Sequence, residues 1–103
     1  MAPFPHTVTL GRSALAVGPL GLAGGYGVGA PALRRAVDPG ATYLDHGSRR
    51  APGMRAAIRD LVAAGERDRL VVVLQSYSRL AALLERSVAA ELRRLGLDHA
   101  DVL

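Results

Sequence analysis

A chain of 103 residues is one small domain or a piece of a larger one, and with half its residues hydrophobic it can bury a core. Its aromatic residues are Phe4, Tyr26, Tyr43 and Tyr77 only, so that core must come from Leu, Val and Ala. Thirteen basic residues against nine acidic ones give a net charge of +4, and every basic one is arginine; with no lysine and no cysteine, lysine bases, Schiff bases, disulfides and thiolate sites are all excluded.

The N-terminus has neither a basic region nor a long apolar run, so no signal peptide is expected. No apolar stretch approaches the roughly 18 residues of a membrane span, and a cytoplasmic location is the expectation. The arginines are spread as Arg34-Arg35, Arg49-Arg50, Arg67/Arg69 and Arg93-Arg94, without interleaved aromatics or a nucleic-acid module. They read as solvated helix faces; an anion or nucleic-acid surface is the lesser alternative.

In chain order, residues 1 to 6 carry two prolines and are expected to form a loose arm ahead of a single domain over 7 to 103. Thr7 to Leu10 and Ala14 to Val17 flank Gly11-Arg12-Ser13 as a small hairpin. Leu20 to Ala23 is a compact apolar strand, and Gly24 to Gly29 a glycine-rich loop. Pro31 suits a first helical turn; the helix Ala32 to Val37 stops at Asp38-Pro39-Gly40. Ala41 to Leu44 is the next strand, delivering Asp45 to the mouth of a loop.

Pro52 opens a helix to Ala64 with Met54, Ala57, Ile58, Leu61 and Val62 at helical spacing, and Gly65 ends it. Leu70 to Leu74 is a continuous, largely β-branched run, which predicts a strand buried on both faces of a parallel sheet. Arg79 to Leu95 is the longest helix, with Leu80, Leu83, Leu84, Val88 and Leu92 on one side and Gly96 closing it. Asp101-Val102-Leu103 starts a further strand. Strand–helix alternation after a hairpin predicts an α/β fold with parallel strands and right-handed crossovers.

Asp45 stands where α/β proteins present chemistry, outside the carboxyl end of a parallel strand. The same placement serves a turn or a helix cap. His46 beside it suggests a metal or acid–base pair, but no further ligands cluster nearby, and no metal site is expected. Gly25-Tyr26-Gly27-Val28-Gly29-Ala30 fits Gly-x-Gly-x-x-Ala between a strand and a helix, with Asp45 about twenty residues on. A Rossmann-type dinucleotide-binding fragment is therefore an alternative. Pro31 and the short helix make a poor phosphate-facing N-terminus for it.

Five segments resemble the first part of an aldo-keto reductase. Val8-Thr9-Leu10-Gly11-Arg12-Ser13 resembles that family's opening hairpin, and Val17 to Gly25 its first barrel strand and glycine turn. Leu33-Arg34-Arg35-Ala36-Val37-Asp38-Pro39-Gly40 through Asp45 resembles the segment that ends on the catalytic aspartate. Arg67-Asp68-Arg69-Leu70-Val71-Val72-Val73 matches the charged turn and third strand. Leu92 to Leu103 resembles the approach to the fourth strand.

The resemblance implies part of a TIM (β/α)8 barrel: the hairpin, about three βα units and the start of a fourth strand. It also implies the family's NADPH-dependent reduction of carbonyls. Asp45 stands at the family's catalytic Asp position; its Tyr position falls on Arg50 and its Lys position on Gln75. The edge of the nicotinamide pocket falls on Ala23, Gly24 and Asp45.

An arginine keeps its proton at any working pH, and glutamine cannot lower a neighbour's pKa by charge. The expectation is a truncated, catalytically silent aldo-keto-reductase-like chain. Its open sheet edge is expected to lead to self-association or to docking on a complementary barrel fragment.

Overall fold

A computed structural model describes residues 6–47 and 50–103 of the chain. The expected N-terminal arm therefore lies outside the described residues, apart from an exposed His6. Strands β1 (Val8–Thr9) and β2 (Ala16–Val17) pair antiparallel, with Val8 opposite Val17, and form the expected hairpin. The backbone N–H of Gly18 donates to the Thr42 hydroxyl at 3.3 Å, which ties the hairpin to the main sheet.

That sheet is parallel and three-stranded, in the order β3 (Leu22–Ala23), β4 (Tyr43–Gly47), β5 (Val71–Leu74). Helix α1 (Ala30–Val37) connects the first pair, α2 (Pro52–Ala63) the second, and α3 (Ala81–Leu95) follows β5. Past α3 the chain returns beside β5, where Val102 forms a parallel bridge to Val73. A doubly wound dinucleotide fold would set its fourth strand beside the first. Here each strand lies beside the one before it, so the Rossmann alternative is corrected; the glycine-rich loop opens with a single 3-10 turn, Gly24–Tyr26.

Burial follows from the two periodicities. Met54, Ala57, Ile58 and Leu61 recur at helical spacing and are all buried, joined by Leu33 and Val37 of α1. They pack on Leu44, Val72 and Leu74 from the sheet. Successive strand residues point to opposite faces, and all four residues of β5 are buried, as its apolar run predicts. The helices end on glycines in the left-handed region, Gly65 at φ 79° and Gly96 at φ 72°.

Two expectations are corrected. The strand expected at Ala41 to Leu44 runs instead from Tyr43 to Gly47. The N–H of Gly40 donates to Val37 and that of Thr42 to Gly40, so residues 40–42 still turn out of α1. Pairing with β5 then carries the strand through Asp45 to Gly47. The apolar side expected for the last helix is also covered only in part. Leu80 and Leu83 are 65% and 48% exposed, while Glu91 and Leu95 in the second half of α3 are buried.

Candidate active-site cleft

Parallel register brings three loops to one end of the sheet. Ala23 of β3 lies opposite Asp45 of β4, and Asp45 opposite Val73 of β5. The pairing slips between Asp45 and Gly47, leaving His46 as an extra residue in the ladder; such bulges re-aim side chains near sites. Asp45 is thus an in-strand residue, not a loop residue. Beyond it a cleft of about 410 Å³ is bordered by Ala23, Gly24 and Tyr26 after β3, by Asp45 and Arg50, and by Gln75 and Tyr77 after β5. Asp45, Arg50 and Gln75, spread over thirty positions of sequence, therefore face one space.

Their polar atoms are unevenly satisfied. Oδ1 of Asp45 is out of contact with water, yet accepts no hydrogen bond from a described residue. Arg50 is exposed and makes no ion pair or hydrogen bond with a described residue. Oε1 of Gln75 accepts the Tyr77 hydroxyl at 3.2 Å. Gly24 is closed off from behind, since a Cβ there would come within 2.8 Å of the Met54 side chain, whereas one on Gly25 would meet nothing within 4 Å.

His46 does not join Asp45 in a metal or acid–base pair. It is buried, and its Nε2 lies 3.8 Å from Oε2 of Glu91 on α3. Glu91 in turn pairs with Arg94 at 3.1 Å and with Arg55 of α2 at 4.0 Å. Burial pushes the imidazole below its ordinary pKa; the Glu91 charge pulls it back up and Arg55 reinforces the downward push. No group of three or more His, Cys, Asp and Glu gathers among the described residues.

Glu91 was missed by sequence reasoning. Its signal was an acid three residues after Val88 and four before Leu95, on the seam that meets the sheet.

Among the described residues, five arginines are held in ion pairs: Arg34 with Asp60, Arg67 with Asp101, Arg69 with Glu66, and Arg55 and Arg94 with Glu91. No helix among the described residues is long and apolar enough to cross a membrane.

No protein-family model and no curated protein matches the chain. Among solved structures it is similar to a crystal structure of an aldo-keto reductase from Klebsiella pneumoniae in complex with NADPH. The two share 29% identity at a TM-score of 0.74, over 93% of this chain and 37% of that one. The chain thus spans little more than a third of the length of that relative. In sequence and in fold alike, the chain resembles an aldo-keto reductase over that part of its length.

Proposed function

We propose that this chain is an arc of an aldo-keto-reductase-type barrel whose cleft keeps the family's aspartate but has Arg50 and Gln75 in place of the family's proton-donating tyrosine and its lysine. One observation carries the reading: Arg50 and Gln75, at the positions where the family resemblance calls for Tyr and Lys, border the same cleft as Asp45. Reduction of a carbonyl needs an acid that gives up its proton near the working pH, and its loss alone removes on the order of 10²- to 10⁴-fold in rate. A guanidinium polarises an oxygen without protonating it.

Cofactor fit supports the same reading. Ala23, Gly24 and Asp45 would border the nicotinamide end of NADPH, where the cofactor would supply hydride. A cleft of about 410 Å³ accommodates that end but not a whole extended dinucleotide. The test is NADPH oxidation with a panel of aldehydes, wild type against Asp45→Ala. The expected result is no aldehyde-dependent turnover in either; turnover lost with Asp45→Ala would overturn the reading.

A second reading, a non-catalytic module that docks on a complementary α/β segment, is favoured by one patch. Tyr77 and Leu83 line one groove and are exposed, as are Leu80 and Leu103, and past β5 the sheet continues only as an isolated bridge at Val102. Open edges and uncovered apolar faces invite association. Sedimentation tests it: a monodisperse monomer for wild type removes the self-docking form, and Leu80→Glu with Leu83→Glu is expected to abolish any association.

A further inference from the structure

The cleft is bordered by an acid and a guanidinium, neither of which pairs with a described residue. Asp45 presents a carboxylate with one oxygen cut off from water and from every described donor. Arg50 borders the same space with no acceptor among the described residues. Charges of opposite sign that border one cleft without bonding each other are poised for a ligand carrying both signs.

Simpler ligands fit less well. A lone anion on Arg50 would meet the Asp45 carboxylate, and a lone cation on Asp45 would meet the guanidinium. A divalent metal would find a single carboxylate and no cluster of three or more ligating side chains. Gln75 spends its amide oxygen on the Tyr77 hydroxyl, which leaves its NH₂ to donate towards an acceptor in the cleft. Tyr26 and Tyr77, 86% and 80% exposed, border the cleft from two different loops and supply uncovered aromatic surface for an apolar group. About 410 Å³ is ample for a molecule of that kind.

We propose that this cleft binds a free α-amino acid with an apolar side chain: its ammonium on Asp45, its carboxylate on Arg50 and the Gln75 amide, its side chain against Tyr26 and Tyr77. The assignment uses no nucleotide and no reduction step, so it stands or falls apart from the reading above.

The experiment titrates the full chain, without nucleotide, with leucine, N-acetyl-leucine and leucinamide, following the tyrosine ring resonances by NMR. Leucine is expected to saturate the shifts, with each blocked analogue weaker by about tenfold or more, the scale of one lost charge-assisted hydrogen bond. Asp45→Asn should weaken leucine about tenfold and leave N-acetyl-leucine unchanged. Arg50→Gln should weaken leucine similarly and leave leucinamide unchanged. Arg50 is exposed, so that variant keeps the test valid if Asp45→Asn fails to fold. Absence of saturable leucine binding, equal binding of all three probes, or leucine binding indifferent to Arg50→Gln would each overturn the proposal.

Discussion

Nε2 of His46 on β4 lies 3.8 Å from Oε2 of Glu91 on α3, with the two residues only 1% and 5% exposed. This contact joins the strand that carries Asp45 to the helix on the flank of the sheet. Neither atom has a hydrogen-bond partner among the described residues. Around the pair stand Arg55 from α2, Arg94 from α3 and Asp45 from the strand itself.

The first consequence is acid sensitivity. Burial holds the His46 pKa below its ordinary 6.5, so the unfolded chain takes up the proton more readily than the folded one. The sign follows: this contribution is present in full above pH 6.5 and is lost as pH falls through the lower folded value. The urea midpoint should therefore drop between about pH 7.5 and pH 5.5, and His46→Leu should remove most of the drop. A wild-type midpoint that is flat across that window would contradict the account.

Removing the acid should be harsher. Glu91→Ala takes the buried carboxylate away from the Arg94 guanidinium and the His46 imidazole, a loss of about 1–3 kcal/mol for a buried hydrogen-bonded charge. Against the roughly 5–15 kcal/mol of a typical domain that is a large share. Far-UV circular dichroism should show Glu91→Ala largely unfolded at moderate urea, with Glu91→Gln less affected. Equal stability of Glu91→Ala and wild type would rule out a structural role for the cluster.

Helix α2 starts against the loop before α1, and Gly53 allows the approach. A Cβ at Gly53 would run into the Val28 carbonyl oxygen, a backbone atom that cannot swing away. Alanine in a helix ordinarily gains up to about 1 kcal/mol over glycine. Here Gly53→Ala should instead lose about 1–3 kcal/mol, as overpacking does. A raised thermal midpoint for Gly53→Ala would refute this.

Asp101 links the segment after α3 to β5. Its Oδ2 accepts the Val72 N–H at 2.8 Å and pairs with Arg67 at 3.0 Å. Asp101→Ala leaves that N–H without an acceptor beneath a fully buried residue, at about 2–3 kcal/mol. Hydrogen exchange at the Val72 amide should accelerate in Asp101→Ala; unchanged protection would show that another acceptor replaces the carboxylate.

Much of the fold was legible because the patterns that encode it are local. Met54, Ala57, Ile58 and Leu61 announce a one-sided helix, and the run from Leu70 to Leu74 announces a strand buried on both faces. The helix-ending glycines Gly65 and Gly96 were legible for the same reason, since a left-handed residue favours glycine. Boundaries were less so. Asp45, His46 and Gly47 carry weak strand propensity, and only pairing with β5 extends β4 through them.

By itself, the sequence determined the order and kind of the elements, the apolar faces of α2 and β5, and the absence of any lysine or cysteine chemistry. Those follow from side-chain type and spacing along the chain. Only the tertiary structure decided which apolar positions find cover, leaving Leu80 and Leu83 in water. It set Arg50 and Gln75 on the same cleft as Asp45, which only the family resemblance had suggested, and it alone buried His46 against Glu91. Such pairings depend on how parallel strands align through space, and no local period records that alignment.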